Sequence, residues 1–215
     1  EMGSLVNSCN NDRKNVDRSI THEALRMIAA DARLQHCHST VLFNPSWHKG
    51  VVGIVASRLI ETYYRPTVVL TQSGDLATGS ARSVPGYDLY QAVEACSDLL
   101  ENFGGHMYAA GLSLKLENVE NFKNRFEEYV SQTITPELMM PQIEIDARIK
   151  LSDINDKFYR ILKQFQPFGP GNMSPVFAAE NVRDNGECRL LGPDKEHLKL
   201  SLVEEGNPNI YQRIE

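Results

Sequence analysis

Apolar residues recur every four positions at Val16, Ile20, Ala24 and Ile28, with Arg13, Lys14, Asp17 and Arg18 on the other faces. This spacing predicts a helix over residues 12 to about 34. A single helix cannot bury its stripe alone, so it is expected to pack on structure elsewhere and to be weakly anchored. From Ser39 to about Val130 strand and helix patterns alternate. Thr40-Val41-Leu42-Phe43 reads as a short strand, and Val52, Val55, Leu59 and Tyr63 fall at helical spacing. Thr67-Val68-Val69-Leu70 reads as a second strand, followed by a turn at Ser73-Gly74-Asp75 and a third strand over Leu76–Arg82. Leu89, Val93, Cys96 and Leu100 predict a helix stopped by Gly104-Gly105. Gly111–Leu116 alternates as a half-buried strand, and Val119, Phe122, Phe126 and Val130 predict a closing helix.

Residues 131–141, with Pro136 and Pro141, read as a linker. Beyond it Ile143, Ile145, Ala147, Ile149 and Leu151 alternate strictly, a strand signal. Ile154, Phe158, Leu162 and Phe165 mark one helix, and Val176–Val182, Glu187–Leu191 and Leu198–Leu202 are strand-like. One helix among several strands fits a small β-barrel, left short of a fifth well-defined strand. The expected fold class is α/β: a helix-bearing segment over 1–36, a small mixed-sheet α/β domain over 37–135 and a β-rich domain over 136–215.

The 22 Lys+Arg and 28 Asp+Glu give a net charge of −6, while 41% hydrophobic and 23% charged residues match an ordinary globular chain. The charge is zero over 1–36 and −3 in each of the other two parts, so nucleic-acid binding must rest on placed groups, not bulk charge. No apolar run reaches the roughly 20 residues of a membrane span, and no signal peptide is visible. Cys9, Cys37, Cys96 and Cys188 are scattered without a CxxC pair, which points to free thiols in the cytoplasm. His36-Cys37-His38 can place two imidazoles on one strand face, but no third ligand is near in sequence, so no metal is expected there.

Four clusters carry candidate chemistry. In Phe103-Gly104-Gly105-His106, two glycines at a helix end can form an anion nest, with His106 donating to a phosphate or a leaving group. The alternative is a plain helix stop. Thr78-Gly79-Ser80-Ala81-Arg82-Ser83 offers a guanidinium fork with flanking hydroxyls for phosphate, or is a solvated strand end. Asn44–Gly53 follows a strand and opens a helix, where amides attract anions. Trp47, the single Trp, either stacks on a base or packs half-buried beside His48. Phe165-Gln166-Pro167-Phe168-Gly169-Pro170-Gly171-Asn172 reads as a rigid turn, with exposed aromatics as the alternative. No Walker loop, GxSxG, HExxH or closely spaced Asp/His ligand run is present.

Taken in order, these segments resemble the RecJ family of the Asp-His-His (DHH) phosphoesterase superfamily. The resemblance rests on Trp47–Leu59, Gly79-Ser80-Ala81-Arg82-Ser83, and Gly104-Gly105-His106 with Ala109-Ala110-Gly111. It continues through Pro167–Asn172 with Pro175-Val176-Phe177, and His197-Leu198-Lys199-Leu200. Asn10-Asn11-Asp12-Arg13 is similar to the start of the family's connecting helix, and Glu1-Met2-Gly3-Ser4 is read as either a tag or the tail of a preceding domain. Gly-Gly-His alone is shared across the superfamily; the ordered set is more specific.

The resemblance implies a DHH-associated α/β domain followed by an OB-type domain, the substrate-binding part of a single-stranded-DNA-specific 5′-to-3′ exonuclease of repair and recombination. Mn²⁺ or Mg²⁺ would be bound by an N-terminal catalytic domain absent from this chain, leaving none to be bound here. That domain and single-stranded DNA are the implied partners. His106 would be catalytic, and Arg82, Ser83, Gly104, Gly105 and His106 would bind phosphate. Ser80, Trp47 and His48 would be further substrate contacts. An oligonucleotide or cyclic-dinucleotide phosphodiesterase of the same superfamily, or a non-catalytic single-strand-binding module, are the alternatives. The isolated chain is expected to be inactive.

Overall fold

The computed structural model describes residues 2–192, 195, 197–207 and 209–214; for residues 2–9, 11 and 12 it describes backbone only. Glu1 of the opening tetrapeptide and the Cys9, Asn11 and Asp12 side chains therefore lie outside the described residues. The chain divides into two compact units, Glu1–Pro141 and Gln142–Glu215. Among the described residues no helix is long and apolar enough to cross a membrane.

The first unit runs α1 (Met2–Ala30), α2 (Ala32–His36), β1 (Thr40–Phe43), α3 (Val52–Tyr63), β2 (Thr67–Ser73), β3 (Leu76–Arg82), α4 (Leu89–Glu94), β4 (Leu100–His106), β5 (Ala109–Lys115) and α5 (Val119–Thr133). The sheet order is β1-β2-β3-β5-β4; β1 and β2 are parallel and the other pairs antiparallel. β2 is buried on both faces, which explains its unbroken Val68-Val69-Leu70 run. Val68, Leu70, Ala77, Ala81, Ala110, Leu112 and Leu114 turn to α4 and α5, where Phe122 and Phe126 stack at 5.6 Å. Leu42 and Val69 turn to α1 and α3.

The N-terminal helix begins earlier than the periodicity predicts, and its later half is firmly held. Ile20, Ala24 and Ile28 share a buried cluster with Trp47, Val52, Val55 and Leu59, while Val16 is 38% exposed. The buried Asp17 pairs with Arg58 of α3 at 2.7 Å. The stripe finds its partner within the same unit, so the expectation of weak anchoring fails from Ile20 onward. Amide exchange is expected to be as slow over Ile20–Ile28 as over Val52–Leu59, and faster before Val16. Uniformly fast exchange through Ile28 would contradict this packing.

The expected helix through Leu100 ends early. α4 closes at Glu94, a short 3₁₀ turn spans Ser97–Leu99, and Leu100 already belongs to β4. Gly104-Gly105-His106 therefore lies on a strand, not at a helix terminus. The expected linker is partly packed too. Ile134 is buried, and Leu138 and Met139 lie against the core.

The second unit contains β6 (Ala147–Arg148), α6 (Asp156–Lys163), β7 (Phe177–Ala178), β8 (Val182–Asp184), β9 (Arg189–Leu191), β10 (His197–Glu204) and β11 (Ile210–Ile214). β10 pairs antiparallel with β11 on one side and with β9 and β8 on the other. β11 supplies the further strand that the sequence reading lacked. The long strand expected over Ile143–Leu151 shrinks to two residues pairing with β7, and Ile143 is 75% exposed. Asn155 caps α6 by accepting from the Lys157 and Phe158 amides at 3.0 Å each. The Pro/Gly block is a built turn. Asn172 Nδ2 donates to the carbonyls of Phe165 (2.7 Å) and Pro167 (2.9 Å), while Gly169 and Asn172 exchange backbone hydrogen bonds.

Candidate nucleic-acid interface

Strand register decides which candidate side chains meet. Directly paired residues project to one side of a sheet, and neighbours along a strand alternate. Arg82 pairs with Ala109, which pairs with His106; Ser80 pairs with Gly111, which pairs with Gly104; Thr78 pairs with Ser113, which pairs with Asn102. These three rows share the face opposite the α4–α5 core. Its floor is almost without side chains at Gly104, Gly111 and Ala109, and a Cβ on Gly104 would meet nothing within 4 Å. Arg82, His106, Ser80, Thr78, Ser113 and Asn102 stand around that floor.

α3 approaches the same face. A Cβ on Gly53, in its first turn, would lie 2.9 Å from Arg82 Nη2 and 3.2 Å from Ser80 Oγ. Gly53 thus lets the guanidinium and hydroxyl sit against the helix start. No side chain caps that start: Val51 stands at the cap position without a capping bond. A helix N-terminus carries roughly half a positive charge. An uncapped one beside Arg82 and Ser80 suits a phosphate group. Arg82 donates one bond to the Ala81 carbonyl at 2.8 Å, which orients its fork.

His106 is exposed, and its Nδ1 accepts the Tyr108 amide hydrogen at 3.2 Å. The proton of the neutral ring then resides on Nε2, which faces away as a donor. His48 repeats this device with the Gly50 amide at 3.1 Å. The anion nest expected at Gly104-Gly105 is not formed, because successive amides along β4 point in opposite directions. Gly105 serves close packing instead: its φ is +153°, and a Cβ would fall 2.2 Å from the Ala109 carbonyl oxygen.

Two further candidates have structural tasks. Ser83 Oγ donates to the Tyr87 carbonyl at 2.9 Å and its amide to Tyr108 at 3.0 Å, so its hydroxyl proton is committed to the loop. Trp47 is 4% exposed; its Nε1 donates to Glu23 at 2.9 Å and its carbonyl accepts from Thr71 at 2.6 Å. It is a core residue tying α1 to the sheet, not a stacking platform. Ser113 and Asn102 lie outside every candidate segment of the sequence, while Thr78 and Gly53 lie within two of them without a site role of their own. Cross-strand register, which would have grouped them, is not written in any local pattern.

The His36-Cys37-His38 triplet does not assemble a metal site. Cys37 Sγ donates to the Arg33 carbonyl at 3.2 Å, and His38 Nδ1 lies 3.5 Å from Glu127. Burial and the Glu127 carboxylate push the Cys37 thiol up, so it stays protonated. Among the described residues, Cys37, Cys96 and Cys188 are free thiols, and no group of three or more His, Cys, Asp or Glu is placed to hold a metal ion.

Comparison with known proteins finds a DHHA1 domain over residues 34–132 and a RecJ OB domain over 145–214. The chain is 33% identical over 209 residues to the single-stranded-DNA-specific exonuclease RecJ of Bacillus subtilis, covering 96% of this chain and 26% of that protein. It is 29% identical over 226 residues to the Escherichia coli protein of the same name, covering 99% and 37%. The crystal structure of Thermus thermophilus RecJ in complex with Mn²⁺ superposes with a TM-score of 0.75 at 25% identity, covering 99% of this chain and 30% of that one. A Mg²⁺ complex of that protein matches with a TM-score of 0.74 at 26% identity, covering 98% and 31%. The chain thus spans 26–38% of the length of several curated relatives it matches.

Proposed function

Carrying a DHHA1 domain and a RecJ OB domain in series, the chain belongs with the RecJ family, and on that premise we propose that it is the substrate-binding part of a single-stranded-DNA-specific 5′-to-3′ exonuclease. The observation that carries the reading is the placement of Ser80 and Arg82 against the uncapped start of α3, above a floor of Gly104, Gly111 and Ala109. Phosphodiester hydrolysis would be completed by an N-terminal catalytic domain. Among the described residues no group of three or more His, Cys, Asp or Glu is placed to hold the family's metal ions. In this reading Mn²⁺ or Mg²⁺ is bound by that other domain. The working division is a connecting helix over 1–36, a substrate-gripping domain over 37–135 and a strand-guiding OB-type domain over 136–215, all within the cytoplasm.

Each residue of the interface then has a task. Arg82 neutralises a phosphate through parallel hydrogen bonds, and Ser80 adds a third donor from the same strand face. Ser80 takes the place of Ser83, whose proton is already donated to Tyr87. His106 offers Nε2–H to a phosphate oxygen or leaving group. The bare floor lets the sugar–phosphate chain lie close to the backbone. The match to a RecJ OB domain behind the α/β domain favours strands over dinucleotides as substrate.

The purified chain alone, supplied with Mn²⁺ and single-stranded DNA, is expected to release no nucleotides, while the intact protein degrades the strand. Manganese-dependent release by the isolated chain would overturn the division of labour. Cleavage of dinucleotides alone by the intact protein would replace the substrate class.

A further inference from the structure

The hairpin that carries His106 closes through Met107 and Tyr108, between the paired residues His106 and Ala109. Two-residue hairpin turns favour Asn, Asp and Gly, which adopt positive φ at little cost. Met107 and Tyr108 are not turn formers, and neither has a positive φ. The turn is held from outside instead. The Tyr108 amide donates to His106 Nδ1 at 3.2 Å, the Tyr108 carbonyl accepts the Ser83 amide at 3.0 Å, and the Met107 carbonyl accepts the Leu89 amide at 3.1 Å. The backbone of the turn is thereby fixed, while the Tyr108 side chain is left 49% exposed. Among the described residues of the first unit it is the one exposed aromatic; every other Phe, Tyr and Trp there is buried or half-buried.

The ring has a defined place. It forms a T-shaped pair with the His106 imidazole, with centroids 6.1 Å apart and planes at 70°. His106 shares its row with Ala109 and Arg82, so the Tyr108 ring stands at the rim of the phosphate grip. Its separation from the imidazole is one that a single sugar can bridge between a phosphate and its own base. Tyr offers a large, rigid surface at a low ordering cost, since its ring is set by two torsions. Every base has a π-face, so such a surface accepts any base. Resting on the single-strand reading above, we propose that Tyr108 is the base platform of this site, stacking on the nucleobase of the nucleotide whose phosphate Arg82 and His106 hold. One residue then serves twice. Its amide fixes the tautomer that leaves Nε2–H of His106 as a donor, and its ring positions the nucleotide that receives that donor. Trp47, the ring that the sequence pattern offers for stacking, lies in the core; Tyr108 takes over that role.

The test uses the intact protein, an oligothymidylate and an abasic strand of equal length. Loss of one base–aromatic stack should lower kcat/KM of Y108A on oligothymidylate by roughly 5- to 150-fold. Y108L keeps apolar bulk but has no π-face, and should fall as far, while Y108F should stay within about twofold of wild type. On the abasic strand all three variants should match wild type. Thermal midpoints should hold, because much of the side chain is already in solvent. Equal losses on both strands, or a Y108L variant as active as wild type, would make Tyr108 a packing residue; either result overturns the inference and leaves the single-strand reading standing. An unchanged Y108A overturns it as well. A wild-type protein that degrades neither strand removes the inference together with the reading beneath it.

Discussion

On the proposed function, replacing Arg82 with alanine in the intact protein is expected to lower kcat/KM on single-stranded DNA by roughly 30- to 1,000-fold while the thermal midpoint holds. Removing a charge-assisted donor from a preorganised, water-poor cleft typically costs about 2–4 kcal/mol of transition-state stabilisation. Each step of about 1.4 kcal/mol is a factor of ten in rate. Arg82 sits at the end of β3 with its fork against Gly53, and among the described residues its side chain donates only to the neighbouring Ala81 carbonyl. Folding therefore depends little on it. Arg82→Lys should not restore the rate, because an ammonium cannot reproduce two parallel hydrogen bonds. His106→Ala should fall in the same range if Nε2–H touches the reacting phosphate. Paired measurement of exonuclease rate and thermal midpoint decides the matter. Activity within about threefold of wild type, a loss below about 0.7 kcal/mol, would remove Arg82 from the site.

Trp47→Ala should show the opposite signature, a loss of stability of about 3–5 kcal/mol, the cost of truncating a large buried aromatic. The indole is packed among Ile20, Ala24, Val51 and Val55, and its Nε1 donates to Glu23, which also accepts from Asn44 at 3.0 Å. Trp47→Phe keeps most of the apolar volume but deprives the Glu23 carboxylate of a donor, which costs about 1–3 kcal/mol. Trp47 is the single tryptophan of the chain, so denaturant unfolding should be followed by far-ultraviolet circular dichroism. A change below about 1 kcal/mol in the alanine variant would contradict the packing role. Had Trp47 been a base-stacking residue, alanine would have cost binding and left stability intact.

Local pattern was sufficient where burial alone sets the period. β3 begins and ends where the turn at Gly74 and the polar Arg82–Ser83 boundary place it, and α3 carries its stripe at Val52, Val55 and Leu59. It was insufficient where a residue is buried by something distant in sequence. Leu100 continues the four-residue spacing of Leu89, Val93 and Cys96, yet it packs as the first residue of β4. That coincidence turned Gly104-Gly105 into an apparent helix stop and His106 into its cap. Ile143 and Ile145 alternate without a partner strand to bury them. β11 was passed over although Ile210, Tyr211 and Ile214 follow a Gly206-Asn207 turn, a signal that was present. Arg82 and Ser80 were legible as residue types. Their meeting with the start of α3 was not, because it depends on the missing side chain of Gly53.

The clamp on α1 makes that helix a lever. Its pivot is the packed stretch near Asp17 and Glu23, held by Arg58, Trp47 and Asn44. The fifteen residues Met2–Val16 extend beyond it, about 22 Å of rod at 1.5 Å per residue. A rotation of about 5° at the pivot would carry the far end through about 2 Å. Misplacement of reacting groups by even about 1 Å can cost a hundredfold in rate. The alignment tolerance of anything borne on the far end is thus set by the buried Asp17 and the half-buried Glu23, each held by hydrogen bonds that a single substitution can remove.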